Sequence, residues 1–114
     1  MSLSKELIKG SSAMLVLGVL DTEPMYGYGI IKELERRSEN VFSMKEGTLY
    51  PILHSLEQEK LVESYWEETE SARKRKYYRI TDRGRGELQK HREEFEEYTV
   101  AVRRIMGGAV SCYV

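Results

Sequence analysis

Four consecutive basic residues, Arg73 to Lys76, form the most distinctive chemical feature of the chain. The segment 73–85 holds seven basic residues and one acidic residue, whereas the remainder holds 11 basic and 18 acidic residues, so the formal net charge of −1 conceals a strong segregation. Clustered Lys and Arg side chains neutralise phosphates and release counterions. The adjacent Tyr77 and Tyr78 can donate hydroxyl hydrogen bonds to phosphate oxygens or pack beneath the cluster. The cluster predicts a phosphate-binding surface, and a solvated basic hairpin without a partner is the alternative.

A second surface suited to recognition is the outer face of a helix predicted from Ser43 to about Lys60. Ser43 and Glu46 match a capping box, which predicts Ser43 as the N-cap. The i, i+3, i+4, i+7 rule places the buried stripe at Leu49, Ile52, Leu53 and Leu56. The opposite face is small and almost uncharged, and it consists of Gly47, Pro51, His54, Ser55 and Gln58. Such a face can approach a partner closely and, with Thr48, can present hydrogen-bonding groups to base edges in the major groove of DNA.

The elements that must position these surfaces follow the order helix, helix, helix, strand, strand, helix. The predicted bounds are Leu3–Leu20, Tyr26–Ser38, Ser43–Lys60, Leu61–Glu67, Lys76–Thr81, and a last helix from Thr81 or Asp82 to Met106, ended by Gly107 and Gly108. This order predicts a mainly α fold with a small β-hairpin, a winged helix-turn-helix domain followed by a C-terminal dimerisation helix. We expect the domain at residues 1–81, the dimerisation helix at 82–106 and a tail at 107–114. The third helix would read the major groove, and the basic hairpin would be the wing.

Composition and motifs narrow the functional classes. The 114 residues are 40% hydrophobic and 32% charged, as in a soluble globular domain. No apolar run approaches the ~18 residues of a membrane span, and no signal peptide is predicted. A single cysteine, Cys112, suggests a reducing compartment, so we expect a cytoplasmic protein. His54 and His91 lie on different predicted helices, outside any nucleophile or metal signature. The sequence therefore predicts no enzyme, no cofactor and no metal site.

Three stretches, "YGYGIIKELE", "GTLYPILHSLEQEKLVES" and "RKRKYYRITDRG", together resemble the PadR family of bacterial transcription regulators. The resemblance runs from about Leu7 to Leu88, and the single last helix is similar to that of the small PadR subfamily. It implies a winged-helix repressor that acts as a homodimer and is released from DNA by a small effector, such as a phenolic acid, an antibiotic or another aromatic. It matches Tyr50 to the tyrosine of the third-helix motif. With the basic cluster, the predicted DNA-binding residues are Lys45, Thr48, Tyr50, His54, Ser55, Arg73, Lys74, Arg75, Lys76 and Tyr77.

The last predicted helix carries an apolar seam that steps alternately by three and four residues, formed by Leu88, His91, Phe95, Tyr98, Val102 and Ile105. Just under three heptads cannot stand alone, so the seam packs either across a two-fold axis with the first helix or within its own chain. The resemblance implies an aromatic-lined effector pocket at the dimer interface, with Phe95 at the matching position. Leu7, Gly10, Ala13 and Met14 would face it from the first helix. Phe95 as plain dimer core is the alternative, because phenylalanine offers less stacking area than tryptophan.

A winged-helix module that binds an acidic protein instead of specific DNA is the competing interpretation. The acidic remainder of the chain favours it, because the overall charge would not attract DNA from a distance. The uncharged outer face of the third helix favours DNA. Trp66, on the first strand of the wing, is predicted to pack within the wing.

Overall fold

The computed structural model of the chain describes residues 5–71 and 73–107, with side chains from residue 11 onward. Within these residues the elements are α1 (Lys5–Leu20), β1 (Met25–Tyr26), α2 (Gly27–Arg37), α3 (Glu46–Gln58), β2 (Val62–Glu68), β3 (Lys74–Ile80) and α4 (Asp82–Met106). The predicted fold class, mainly α with a β-hairpin between the third and last helices, is confirmed. The predicted start of the first helix at Leu3 and the predicted tail after Gly107 lie outside the described residues.

The sheet has three antiparallel strands in the order β1-β3-β2, one strand more than the sequence predicts. Tyr26 in β1 pairs with Tyr77 in β3. Two residues are too few for an alternating pattern, so the sequence gives no signal for β1. The assignment of Tyr26 to the second helix is therefore wrong, because its backbone is extended and the helix begins at Gly27. The β3 strand also begins at Lys74 instead of Lys76, since pairing with β2 extends that far.

The core lies where α1, α2 and α3 meet the inner face of the sheet. In the apolar half of α1, Val16 and Leu17 are fully inaccessible and Val19 and Leu20 are buried. Ala13, Met14 and Leu15 pack against this core and are partly buried. The predicted stripe of α3 also faces inward, with Leu49, Leu53 and Leu56 buried and Ile52 partly buried against them. Each fully buried side chain of this kind contributes about 1.5–3 kcal/mol. This packing fixes α3 against the wing and leaves its opposite face outside.

The capping box predicted for α3 is wrong. The N-cap is Lys45, two residues later than Ser43, and it makes no side-chain capping bond. Met44 is buried, which holds the preceding chain in the core, and the Lys45 carbonyl accepts the first helical bonds, from Thr48 N at 3.0 Å and Leu49 N at 2.9 Å. A helix that starts at Glu46 keeps Pro51 inside it, and the exposed Gly47 carbonyl can bind water in place of the missing N–H.

The start of α4 is joined to the base of the wing. Thr81 is its N-cap, one of the two predicted candidates, and its Oγ1 accepts a hydrogen bond from Gly84 N at 3.0 Å. The same hydroxyl donates to the Lys60 carbonyl at 2.7 Å. Asp21, just after α1, lies 3.3 Å from the guanidinium of Arg92. At the other end, α4 terminates at Gly107 with φ 76°, the left-handed conformation that favours glycine.

Candidate nucleic-acid interface

The outer face of α3 is open to solvent. Gly47, Pro51 and the four predicted DNA-contacting side chains, Lys45, Thr48, His54 and Ser55, are all exposed. His54 Nε2 lies 3.4 Å from the Gln58 amide nitrogen, so the two form one polar pair on this face. Because buried leucines fix the opposite side of the helix, this face must point away from the core. Apart from Lys45 at the N-cap, the residues of this face are small or hydrogen-bonding and uncharged, so they can lie against base edges.

The alternation of β3 divides the basic cluster between the two faces of the wing. Lys74 and Lys76 share the face that turns towards α3 with the buried Tyr78, whereas Arg75 and Arg79 lie on the outer face. Arg73 is exposed just before the strand. The cluster therefore presents cations on both faces of a narrow hairpin, and no single flat surface can engage all of them.

Aromatic rings organise the outer face. Tyr77 is half-buried between Tyr26, at 5.7 Å between ring centroids, and Tyr65, at 5.9 Å. The guanidinium carbon of Arg75 lies 4.5 Å from the centre of the Tyr26 ring, and that of Arg79 lies 5.1 Å from the Tyr65 ring. The structure thus places Tyr77 inside an aromatic row that supports two arginines, with its ring already in contact within the chain.

The ion pairs of the wing leave the predicted cations unneutralised. Arg79 is paired with Glu63 across the strands, at 2.8 Å between Nε and Oε1. The four basic residues 73–76 form no ion pair with any carboxylate of the described residues. Their positive charge is therefore available to an external anion, whereas that of Arg79 is largely compensated.

A crevice of about 340 Å³ separates α3 from the wing. Its lining comprises Tyr26, Gly27, Tyr50, Trp66, Arg75 and Lys76. Three of these residues, Tyr26, Gly27 and Trp66, were not among the sites predicted from sequence. The packing predicted for Trp66 is not found, because its indole is 64% exposed. Trp66 lies opposite Lys76 in the β2–β3 register, and this pairing places Trp66 at the crevice.

Tyr50 lies across the first residue of α2. A Cβ atom built on Gly27 would stand 2.7 Å from the Tyr50 hydroxyl, so only glycine lets the ring take this position. The contact joins the "YGYG" stretch to the "LYP" stretch and fixes the start of α2 against α3. The Tyr50 ring is half-exposed towards the crevice.

Burial affects one titratable group of the wing. Tyr78 is enclosed by the core, and desolvation raises the pKa of its hydroxyl, with further contributions from Glu57 and from Tyr50. The phenol therefore stays neutral beneath the cations of β3 at physiological pH.

The seam of α4 divides into an inner and an outer part. Leu88 is buried in the core of its own chain and is not available to a partner. Phe95, Tyr98 and Ile105 are exposed, His91 is exposed, and Val102 is half-buried. From α1, Ala13 and Met14 are partly buried against the core, whereas Leu7 and Gly10 precede residue 11, the first whose surroundings are described.

The described part of the chain holds neither a metal-binding cluster nor a membrane-spanning helix. Within the stretches 5–71 and 73–107, no three His, Cys, Asp or Glu residues are grouped to hold a metal ion. Across the same stretches, none of the helices combines the length and apolar character needed to cross a bilayer.

An amphipathic helix pair, α2 and α3, followed by a β-hairpin wing that pairs with a short strand in front of α2, defines the winged helix-turn-helix class. Residues 16–90 match the model of the Transcriptional regulator PadR-like family, and the chain belongs to that family. Transcriptional regulator Rv3488 of Mycobacterium tuberculosis is 34% identical over 84 residues, which are 74% of this chain and 72% of that protein. The family consists of DNA-binding transcriptional regulators, not enzymes, so the predicted family and the non-enzymatic prediction are confirmed.

Solved structures agree with this assignment. A transcriptional regulator from Clostridium thermocellum superposes with a TM-score of 0.81 at 29% identity, over 90% of this chain and 96% of that one. A PadR-like transcriptional regulator from Bacillus cereus gives a TM-score of 0.80 at 28% identity, over 92% of this chain and 100% of that one. The similarity includes α4, so it extends beyond the winged helix itself.

Proposed function

We propose that the chain is a repressor that binds a palindromic operator as a homodimer and leaves it when a small aromatic effector binds. The observation that carries the DNA-binding part is the pairing of two surfaces. A hydrogen-bonding face of α3 lies beside wing cations that form no ion pair with any carboxylate of the described residues. The first surface suits base edges and the second suits phosphates.

In this proposal Thr48, His54 and Ser55 read bases in the major groove. Lys45 and the four basic residues 73–76 neutralise phosphates, and these contacts set affinity and register rather than sequence preference. Two such units related by a two-fold axis would place their α3 helices about 34 Å apart, one turn of DNA, which is why a palindromic site is expected.

The effector part of the proposal is supported by α4. Phe95 and Tyr98 are large aromatic side chains that their own chain leaves open to solvent. Two such helices facing each other would enclose aromatic rings, and a flat aromatic molecule could stack between them. Binding there would change the angle between subunits and so the spacing of the α3 helices.

The test is fluorescence anisotropy of a labelled duplex carrying the gene's own upstream region, beside a scrambled duplex, over a range of salt concentrations. If a dimer neutralises about eight phosphates, log K falls against log salt with a slope of roughly −7. Addition of p-coumarate, a phenolic acid, tests release. Equal, weak binding to both duplexes would contradict operator recognition at this site and favour a protein partner for the wing.

A further inference from the structure

The crevice between α3 and the wing has the chemical character of an anion site. Lys76 contributes a cation from the inward-turned face of the wing, and Arg75, which extends over the Tyr26 ring from the outer face, also borders the crevice. The Trp66 indole and the Tyr50 hydroxyl add neutral hydrogen-bond donors. Carboxylates are absent from the lining residues. Lys76 Nζ lies 5.7 Å from the centre of the Tyr78 ring, a contact that leaves its three N–H donors free for a ligand.

Trp66 is the unusual member of this lining. Its side chain is 64% exposed, although tryptophan provides one of the largest apolar surfaces available to a fold. It stands directly opposite Lys76 in the β2–β3 register, on the inward-turned face of the hairpin. An indole so exposed contributes little to the wing itself, yet it sets a flat apolar wall beside a cation. A sugar–phosphate chain has this alternation of apolar and anionic groups.

The placement of the crevice indicates which part of a duplex would occupy it. If α3 lies in the major groove and the wing follows the neighbouring phosphates, the strand that borders the groove must pass between them. The crevice is lined by both elements and by Tyr26 and Gly27, where β1 meets α2. Tyr50 forms its far wall, and the missing side chain of Gly27 leaves room for the Tyr50 ring there.

We propose that this crevice clamps the sugar–phosphate backbone of one DNA strand, with Trp66 packed against a deoxyribose and Lys76 paired with the adjacent phosphate. The inference rests on the proposed DNA binding and adds to it a contact residue, Trp66, and a positioning residue, Tyr50. Because backbone groups carry no sequence information, the clamp strengthens binding to every duplex by the same factor.

The fluorescence of the full-length protein tests the clamp, because Trp66 is the only tryptophan in the chain. Acrylamide quenches the fluorescence of an exposed indole. The quenching of Trp66 is measured without DNA and again with a saturating amount of the upstream duplex, and anisotropy of the labelled duplex shows that binding is complete. If the clamp forms, acrylamide should lose most of its quenching effect on Trp66 when the duplex binds. Trp66→Ala is expected to lower the affinity for the operator duplex and for the scrambled duplex by the same factor. The ratio of the two affinities should therefore stay unchanged. Trp66→Phe, which keeps a ring, should recover part of that loss.

Two charge variants complete the test. Lys76→Ala removes about one phosphate contact per subunit, so the salt slope of the dimer should flatten by nearly 2. Arg79→Ala is the matched control, because it removes the same charge from the same strand but Glu63 already pairs with Arg79. The salt slope of Arg79→Ala should therefore change far less than that of Lys76→Ala.

The outcomes separate this inference from the proposed function. If the duplex binds but Trp66 stays equally accessible and Trp66→Ala binds normally, the clamp is overturned and DNA binding stands. If no duplex binds the wild-type protein, both proposals fail. Protection of Trp66 by p-coumarate without DNA would make the crevice a small-molecule site and would also overturn the clamp.

Discussion

Gly84, in the first turn of α4, shows how one missing side chain joins two elements. A Cβ at this position would collide with the Leu61 carbonyl oxygen and lie 2.7 Å from Ile80 Cγ1. The Leu61 carbonyl accepts a hydrogen bond from Thr81 N at 3.0 Å, so it cannot move aside without loss of that bond. We expect Gly84→Ala to lower the free energy of unfolding by about 1–3 kcal/mol, as overpacking does, measured by urea denaturation.

Gly86, two residues further along the same helix, is the matched control. Nothing lies within 4 Å of a Cβ built there. Alanine is favoured over glycine inside a helix by about 1 kcal/mol, so Gly86→Ala should stabilise the protein. Two variants that shift stability in the same direction would show that helix propensity, rather than the contact with Leu61, decides the result at residue 84.

Contacts of this kind mark the limit of prediction at the residue scale. Local patterns placed Thr81 among the N-cap candidates and placed the exposed face of α3 correctly. They could not pair Gly27 with Tyr50, because the two residues are distant in sequence and neither periodicity nor charge relates them. The crevice and its Trp66 wall depend on that same tertiary placement, so no local pattern of residues predicts the crevice.

At the scale of elements, the solvent-exposed side of α2 carries a carboxylate, Glu33, that binds two arginines. Glu33 accepts from Arg36 Nε at 2.6 Å and from Arg37 Nε at 3.1 Å, and these hydrogen bonds, chiefly that from Arg36, lower its pKa from 4.5 to about 2. Arg37 in turn donates to Thr22 Oγ1 at 2.8 Å, which ties α2 to the turn after α1. The stabilisation is complete above the ordinary carboxyl pKa and disappears as the pH falls through about 2.

We therefore expect Glu33→Gln to be less stable than the wild-type protein near neutral pH and equal to it at about pH 2. The measurement is urea denaturation of both proteins across that range. Glu23→Gln, which removes an exposed carboxylate from the preceding turn, is the control and should leave the pH dependence unchanged. A stability gap for Glu33→Gln that persists at the lowest pH would assign its cause to helix propensity.

Element prediction succeeded where the apolar pattern was long and failed where it was short. The apolar stripe predicted for α3 extends over several turns, and its residues lie in the observed core or pack against it. The β1 strand is two residues long, so its pairing with β3 is decided by tertiary packing and not by its own pattern. The capping box at Ser43 failed because the buried Met44 delays the helix by two residues.

The whole molecule is elongated for its size. Its radius of gyration is 16.2 Å, whereas a compact domain of this length has about 13 Å. The cause is α4, whose 25 residues extend for roughly 37 Å. The start of this helix packs on the domain through Leu88, and its later part carries Phe95 and Ile105 exposed. A projecting helix with an uncovered apolar seam is the feature of this chain that best supports the proposed homodimer.

If that seam is the subunit interface, a charge placed within it should separate the subunits. We expect Phe95→Glu to convert the dimer to a monomer in sedimentation velocity, because an unpaired carboxylate cannot be buried between two apolar helices. Operator affinity should fall by at least about 100-fold, since two half-sites lose the avidity of linked subunits. Lys90→Gln is the control, because it changes the net charge of α4 by the same amount at an exposed position off the seam. A Phe95→Glu protein that remains dimeric would place the interface elsewhere and leave Phe95 as a solvent-exposed ring.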